Sequence, residues 1–137
     1  MFKQIMVPVD LGHTDQLEKS MKIAAELSKQ YQAPVCYVGV ASEQPGSVSQ
    51  DLPEFQQKLA VFAEQQIALH GHQATTRAFV GHDLVTDVDD ILLAAVTDIN
   101  ADLVVMASHV PTLVNYVWPS NGGKIAAHSQ ASVFVVR

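Results

Sequence analysis

The chain has 137 residues, of which eight are lysine or arginine and fourteen are aspartate or glutamate. It contains no run of five basic residues, so its charge gives little support to a nucleic-acid partner or an anionic-membrane partner. Its longest apolar runs fall far short of the ~20 residues that a membrane span needs. A chain of this length predicts one domain, residues 1–137, with a sizeable buried core.

The first residues and the single cysteine favour a cytoplasmic location. Met1 to Val7 lead straight into a strand-like segment and lack the charged start, long apolar stretch and cleavage site of a signal peptide. Cys36 is the only cysteine, so the chain cannot form an internal disulfide. Because Cys36 lies in an apolar stretch, we expect it to be a small buried side chain.

The apolar residues alternate between strand-like runs and helical spacing along the chain. Thr14 or Asp15 could cap the first helix, Pro53 suits the first turn of the second, and Gly71 ends it. Residues 42–52 are rich in serine and contain a Pro-Gly pair, which is typical of a loop. The predicted strands cover 5–9, 35–41, 74–80, 103–107 and 133–136, and the predicted helices cover 14–30, 53–70, 84–99 and 120–129.

Strands separated by helices predict a doubly wound, Rossmann-like α/β fold, with a parallel sheet covered by helices on both faces. The strands are continuous apolar runs, as expected for strands that are buried on both sides. In such sheets a ligand binds beyond the carboxyl ends of the strands. The residues that occupy those ends are Pro8, Val9, Asp10, Val40, Ala41, Gly81, Ala107, Ser108, His109 and Val110.

The start of the last predicted helix contributes further candidate residues. Ser120, Asn121 and Gly122 stand where a loop becomes a helix, so that backbone N–H groups and the positive end of the helix dipole converge there. Such a point suits a phosphate group. Lys124 follows, but isoleucine comes after it and the phosphate-loop pattern G-x-x-x-x-G-K-[ST] is absent, so we expect a surface lysine.

Ser108 and His109 invite comparison with a nucleophile and its base. Adjacent residues at a strand end point in opposite directions, and no Gly-x-Ser-x-Gly elbow surrounds them, so a hydrolase site is not favoured. We expect their backbone N–H groups to act as anion donors instead. Asp10 could contact a ligand, or it could cap the turn that opens the first helix.

Histidine and aspartate clusters do not follow metal-site spacing. His70 and His72 flank Gly71 at a helix end, where surface or helix-end histidines are expected rather than metal ligands. Asp87, Asp89 and Asp90 lack the spacing and the glycine of a calcium loop. They are expected to form the acidic first turns of a helix.

Both ends of the chain carry a family resemblance. Lys3 to Asp10 form a characteristic opening strand, and the tail adds Met106-Ala107-Ser108-His109, Pro111, Tyr116, Ser120-Asn121, His128 and Ser132 to Arg137. In combination these segments resemble the universal stress protein family. The tail is most similar to the short single-domain members called types F and G, and the likeness covers the whole chain in element order.

The resemblance implies a sheet of order 3-2-1-4-5 and a homodimer formed through the last strand, here Val133, Phe134, Val135 and Val136. In members that bind ATP, an aspartate after the first strand meets the nucleotide, which here is Asp10. The backbone at the end of the second strand, here Val40 and Ala41, holds adenine. The implied ligand is therefore ATP or AMP, with Mg²⁺ beside ATP.

The chain departs from the family's phosphate motif, G-x-x-G followed after a spacer by G-[ST]. Ala107, Val110 and Pro119 stand at the three glycine positions, and only Ser120 matches. Glycine permits close backbone approach and positive φ, which valine does not, and proline removes a backbone donor. Asn121 and Gly122 could restore part of the lost donor set.

Three functions therefore stay open. The first is a stress-response regulatory module that binds an adenine nucleotide along Asp10, Val40, Ala107 to Val110, and Ser120 to Gly122. The second is a nucleotide-independent dimer that recruits an unknown protein partner and keeps a degenerate phosphate loop. The third, an ATP-hydrolysing enzyme, is not favoured, because Asp10 is the one carboxylate that can be placed in a catalytic role.

Overall fold

The computed structural model describes residues 1–42, 51–82, 84–108 and 121–137, and for residues 84–87 and 121 it describes the backbone alone. The strands are β1 (Ile5–Pro8), β2 (Val35–Ser42), β3 (Ala74–Gly81), β4 (Leu103–Ala107) and β5 (Ser132–Val136). The helices are α1 (Glu18–Tyr31), α2 (Leu52–His70), α3 (Leu84–Ile99) and α4 (Asn121–His128). None of the helices in these ranges is long and apolar enough to cross a membrane.

The five strands form one parallel sheet in the order β3-β2-β1-β4-β5, which confirms the predicted fold. Ile5 of β1 is paired with Val35 of β2 on one side and with Leu103 of β4 on the other. The strand order therefore reverses between β1 and β4. In a sheet of this kind the carboxyl ends of those two strands border the crevice where ligands bind.

Each face of the sheet is covered by a pair of helices because successive side chains of a strand point to opposite faces. Ile5 and Val7 pack in a core cluster with residues of α1 and α2. Met6 packs in a second cluster with residues of α3 and α4. The buried apolar strands predicted from the sequence therefore lie between two helical layers.

The start of the first helix differs from the prediction. Neither Thr14 nor Asp15 caps it: the Asp10 carboxylate accepts a hydrogen bond from the Gly12 N–H at 3.0 Å and opens a 3-10 segment, Leu11–Leu17. The α-helix proper begins later, at Glu18. An aspartate that bonds the N–H two residues ahead closes a turn of its own, and this turn comes before the helix.

The second helix ends as predicted. Gly71 has φ +72°, and its N–H donates to the carbonyl of Ile67 at 2.8 Å. Only glycine adopts this left-handed conformation without steric cost. Of the predicted loop 42–52, Ser42 ends β2 and Leu52 begins α2, and residues 43–50 lie outside the described part of the chain.

Candidate functional site at the carboxyl edge of the sheet

Asp10 lies just beyond the carboxyl end of β1, at the point where the strand order reverses. Its Oδ1 accepts the Gly12 N–H at 3.0 Å, and its Oδ2 lies 2.9 Å from Nδ1 of His13. The carboxylate is 22% exposed. It therefore serves the turn, as one of the two sequence interpretations held, and it keeps a face towards solvent.

His13 is a site residue that the sequence analysis did not single out. Its backbone N–H donates to the Asp10 carbonyl at 3.0 Å, while its ring meets the Asp10 carboxylate. The signal in the sequence is an aspartate with a glycine two residues later and a histidine three residues later, because an aspartate turn brings the following residues back to the aspartate side chain. Gly12 supplies the other local contact.

Pro8 and Val9 fix the position of Asp10, but both side chains are buried. Pro8 is the last residue of β1 and is paired with Val38 of β2. The Val9 side chain is buried in the α1–α2 core cluster, and its N–H donates to the Val38 carbonyl at 2.8 Å. These two candidates therefore contribute to the site through the path of their backbone and not through their side chains.

Val40 and Ala41 lie in the part of β2 that extends beyond the carboxyl end of β1. The register between β1 and β2 ends at Pro8 with Val38, whereas β2 continues to Ser42 and stays paired with β3. The backbone N–H and C=O of Val40 face β1 and are thus outside that ladder, whereas those of Ala41 face β3, because successive residues of a strand direct their backbone groups to opposite neighbours. A strand edge of this kind offers N–H and C=O groups to the rim of a planar base.

Ser108 does not have the role predicted for it. Its backbone N–H donates to the carbonyl of Val136 at 2.7 Å, so this donor is already used within the sheet edge. Ala107 is the last residue of β4 and is half-buried. His109 and Val110 lie outside the described residues, so their role as anion donors stays a prediction.

The start of α4 lies against the end of β5. A Cβ built on Gly122 would stand 3.0 Å from Cγ2 of Val135, whereas one built on Gly123 would meet nothing within 4 Å. Gly122 therefore allows the close approach of α4 to β5. Asn121 begins the helix, and Ser120, the one residue that matches the family's phosphate motif, lies outside the described ranges.

Lys124 pairs with acidic residues of α3. Its Nζ lies 3.5 Å from Asp89 and 3.4 Å from Asp90. The lysine is a partly exposed helix residue, as predicted, and the two aspartates form its ion pairs. Such contacts join α4 to α3 at the surface and contribute little free energy each.

Two of the singled-out side chains are buried in the core. Cys36 is a small buried residue, as predicted, and burial raises the pKa of its thiol. His72 was expected at the surface or at a helix end: it does follow the Gly71 cap of α2, but it is 5% exposed rather than at the surface, and its Nε2 lies 2.8 Å from the Tyr37 hydroxyl. His70 does end α2.

The predicted interface strand divides into exposed and buried positions. Phe134 and Val135 are each 44% exposed although both are large and apolar. Val136 is buried in the α1–α2 core cluster, and Val133 packs partly buried against the other one. The outer surface of β5 therefore consists of one exposed apolar side chain on each face of the sheet.

Comparison with known proteins gives concordant matches over the full chain. The family model described as Universal stress protein family matches residues 1–137. Universal stress protein G of Salmonella typhimurium is 27% identical over 150 aligned positions that cover 100% of both chains.

Solved structures share the fold. A universal stress protein from Archaeoglobus fulgidus has 18% identity and a TM-score of 0.70 over 100% of both chains. A universal stress protein in complex with cAMP has 18% identity and a TM-score of 0.70, covering 99% of this chain and 97% of that one. The Archaeoglobus fulgidus protein in complex with dAMP has 18% identity and a TM-score of 0.71 over 98% of each chain.

Proposed function

The chain belongs to the universal stress protein family, and from that premise we propose that it is a stress-response regulatory module that binds an adenine nucleotide, ATP or AMP, at the carboxyl edge of its sheet. Structural relatives have been solved in complex with cAMP and with dAMP, both of which are adenine nucleotides. The site in this chain would be bordered by the ends of β1, β2 and β4 and by the start of α4.

The position and orientation of Asp10 carry the proposal. The carboxylate stands at the reversal of the strand order, and the Gly12 N–H and the His13 ring hold it in one orientation. Each carboxylate oxygen accepts more than one hydrogen bond, so a ribose hydroxyl can donate to it without displacing those partners. A fixed acceptor loses less entropy on binding than a mobile one does.

The strand edge at Val40 and Ala41 supports recognition of the base. Because β2 extends beyond the end of β1 there, the backbone groups of Val40 that face β1 lie outside the β1–β2 ladder. Adenine presents donors and acceptors around its rim, and a backbone edge can match them. Adenine and ribose would then be held by neighbouring strand ends.

The phosphate part of the site is the weaker part. The α4 start contributes backbone N–H groups and a helix dipole, but the Ser108 N–H is committed to Val136. The glycine positions occupied by Val110 and Pro119 lie outside the described residues. We propose that the phosphates rest on the residues from Ser120 to Gly122, with Mg²⁺ accompanying them when the nucleotide is ATP.

Purification without added ligand tests this proposal. The protein is denatured and the released small molecules are separated by chromatography, which detects AMP, ADP or ATP. Stoichiometric adenine nucleotide supports the proposal. If none is released and millimolar ATP with Mg²⁺ produces no binding heat, the proposal fails.

The double variant Val110→Gly, Pro119→Gly separates a working site from a retired one. A working site binds nucleotide in the parent, with an affinity that the variant changes little or improves. A retired site binds only in the variant, which regains the family's glycines at two positions. The second result would assign the function to a surface other than the carboxyl edge.

The exposed pair Phe134 and Val135 favours a second candidate function, a homodimer that recruits a protein partner. A terminal edge strand with an exposed apolar side chain on each face is a site where a second chain adds to the sheet. Sedimentation of the purified protein tests this candidate. A monomer at micromolar concentration would exclude it.

We propose binding without catalysis. Asp10 is the carboxylate that stands at the reversal of the strand order, and it already serves the turn. Phosphate release from ATP is compared between the parent and Asp10→Ala. Release that disappears in the variant would establish an ATPase and overturn the non-catalytic part of the proposal.

A further inference from the structure

Tyr37 and His72 form a buried hydrogen-bonded pair at the amino edge of the sheet, opposite to the nucleotide edge. The Tyr37 hydroxyl lies 2.8 Å from Nε2 of His72, and both side chains are inside the core. The Tyr37 ring packs edge-on against Phe62 of α2, with centroids 5.5 Å apart. His72 lies in the turn from α2 to β3, so the pair ties that turn to the middle of the sheet.

The pair suits a neutral imidazole. When the Tyr37 hydroxyl donates to Nε2, the ring proton is on Nδ1, which has no hydrogen-bond partner among the described residues. A second proton would go to Nε2, so that the ring would donate and the Tyr37 oxygen would have to accept. The N–H at Nδ1 is unpaired in both states, so what the second proton adds is a buried charge together with the reversed hydrogen bond to Tyr37.

The surrounding groups oppose a positive charge on His72. Lys29 faces the ring from the last turn of α1, His70 faces it from the end of α2, and the Tyr37 hydroxyl faces it from β2. Burial first, and then His70 and Lys29, lower the pKa of His72. The dipoles of α1 and α2 favour a cation at their carboxyl ends, and Lys29 is already the basic residue in the last turn of α1.

A cavity beside the pair gives water and protons a route to it. The cavity holds about 360 Å³ and is lined by Gly71, His72 and Gln73 of the turn and by Ser28, Lys29 and Gln32 from the end of α1. The turn itself is fixed to the sheet by the Val35 N–H, which donates to the Gln73 carbonyl at 3.0 Å. The Val35 N–H therefore reports on whether the turn stays attached.

We propose that the Tyr37–His72 pair is an acid-sensitive switch, which holds the turn between α2 and β3 closed at neutral pH and loosens it when His72 gains a proton. In the unfolded chain a histidine titrates near pH 6.5. Because the native pKa lies below that value, the unfolded chain binds the proton more readily. The stabilisation is therefore complete above about pH 6.5 and is lost as the pH falls through the native pKa.

Urea unfolding of the full chain at pH 7.5 and pH 5.0 tests the switch. His72→Gln keeps an amide that can bond the Tyr37 hydroxyl but cannot titrate, and His128→Gln removes an exposed histidine as the control. Between the two pH values, the unfolding constant of the parent should rise more than that of His72→Gln, by up to tenfold for each unit of lowered pKa. His128→Gln should follow the parent, and an equal rise in the parent and His72→Gln overturns the proposal.

Two measurements on the parent keep the test decisive if His72→Gln does not fold. NMR titration of the His72 Cε1–H should give a midpoint below pH 6.5, and a midpoint at or above that value overturns the proposal. Hydrogen exchange should show a lower protection factor for the Val35 N–H at pH 5.0, relative to that of Val105 in β4. Equal protection ratios at the two pH values likewise overturn the proposal.

Discussion

Gly122 in the first turn of α4 lies directly over Val135 of β5, so close that a Cβ on the glycine would stand 3.0 Å from Cγ2 of the valine. The same strand receives the Ser108 N–H through the Val136 carbonyl. The end of β5 therefore contacts Gly122, which is proposed for the phosphate part of the site, and also accepts the N–H of Ser108. The strand that carries the exposed apolar pair thus also supports the carboxyl edge of the sheet.

The two glycines of α4 should respond differently to alanine. Glycine in a helix costs about 0.5–1 kcal/mol relative to alanine, so Gly123→Ala, with open space around its new Cβ, should raise the free energy of unfolding by about that amount. Gly122→Ala should gain less, or lose, because Val135 has to shift. Urea unfolding at pH 7.5 measures both, and equal gains would show that α4 does not lie tightly on β5.

Asp102 should stabilise the amino edge of the sheet. Its carboxylate accepts the Lys3 N–H at 2.9 Å and the Gln4 N–H at 3.1 Å, which fixes the start of β1 to the start of β4. Asp102→Ala should lower the free energy of unfolding by about 1–3 kcal/mol, since charged hydrogen bonds are lost. The control Asp90→Ala removes a surface ion pair to Lys124 and should cost no more than about 1 kcal/mol.

The fold could be predicted from local patterns because each strand is a continuous apolar run and each helix shows helical spacing. The bounds of α3 and β4 agree with the structure residue for residue. The strand order needed more than pattern: it came from the family resemblance. At Asp10 the contacts join residues close together in the sequence, and the interpretation of Asp10 as a residue that caps a turn was correct.

The predictions from the sequence were incorrect or incomplete for residues whose hydrogen-bond partner is distant along the chain. His72 was expected at the surface or at a helix end, and its burial was missed because its partner Tyr37 is 35 residues away. Ser108 was expected to offer its N–H to an anion, and the acceptor that takes it, Val136, belongs to the last strand. Contacts between residues so far apart in the sequence depend on the order of the strands in the sheet, and the spacing of residues along the chain does not reveal that order.

The exposed pair on β5 should control the oligomeric state. Val135→Lys places a charge on the outer surface of the edge strand and should convert a dimer into a monomer. Leu69→Lys is the matched control, since Leu69 is apolar and 72% exposed but lies on α2. Sedimentation velocity separates the two states. A dimer that survives Val135→Lys, or that Leu69→Lys also disrupts, would contradict an interface at β5.

Asp10 should contribute to affinity by its charge as well as by its position. Asp10→Asn keeps an oxygen for the Gly12 N–H but weakens the acceptor offered to ribose. The loss of a charged hydrogen bond costs about 1.5 kcal/mol, which corresponds to a roughly tenfold higher Kd. Asp15→Asn removes the same charge from an exposed position of the same turn. Fluorescent AMP displacement compares the two variants, and equal affinities would show that Asp10 has no special contact.

Isothermal titration calorimetry of the nucleotide-free protein with AMP, and separately with ATP and Mg²⁺, tests the central claim most directly. The account predicts saturable binding of one adenine nucleotide per chain by the parent. It also predicts binding at least tenfold weaker by an Asp10→Ala variant whose fold is retained by circular dichroism. No binding heat from the parent at millimolar nucleotide, or equal affinities in parent and variant, would contradict a nucleotide site at the carboxyl edge of the sheet.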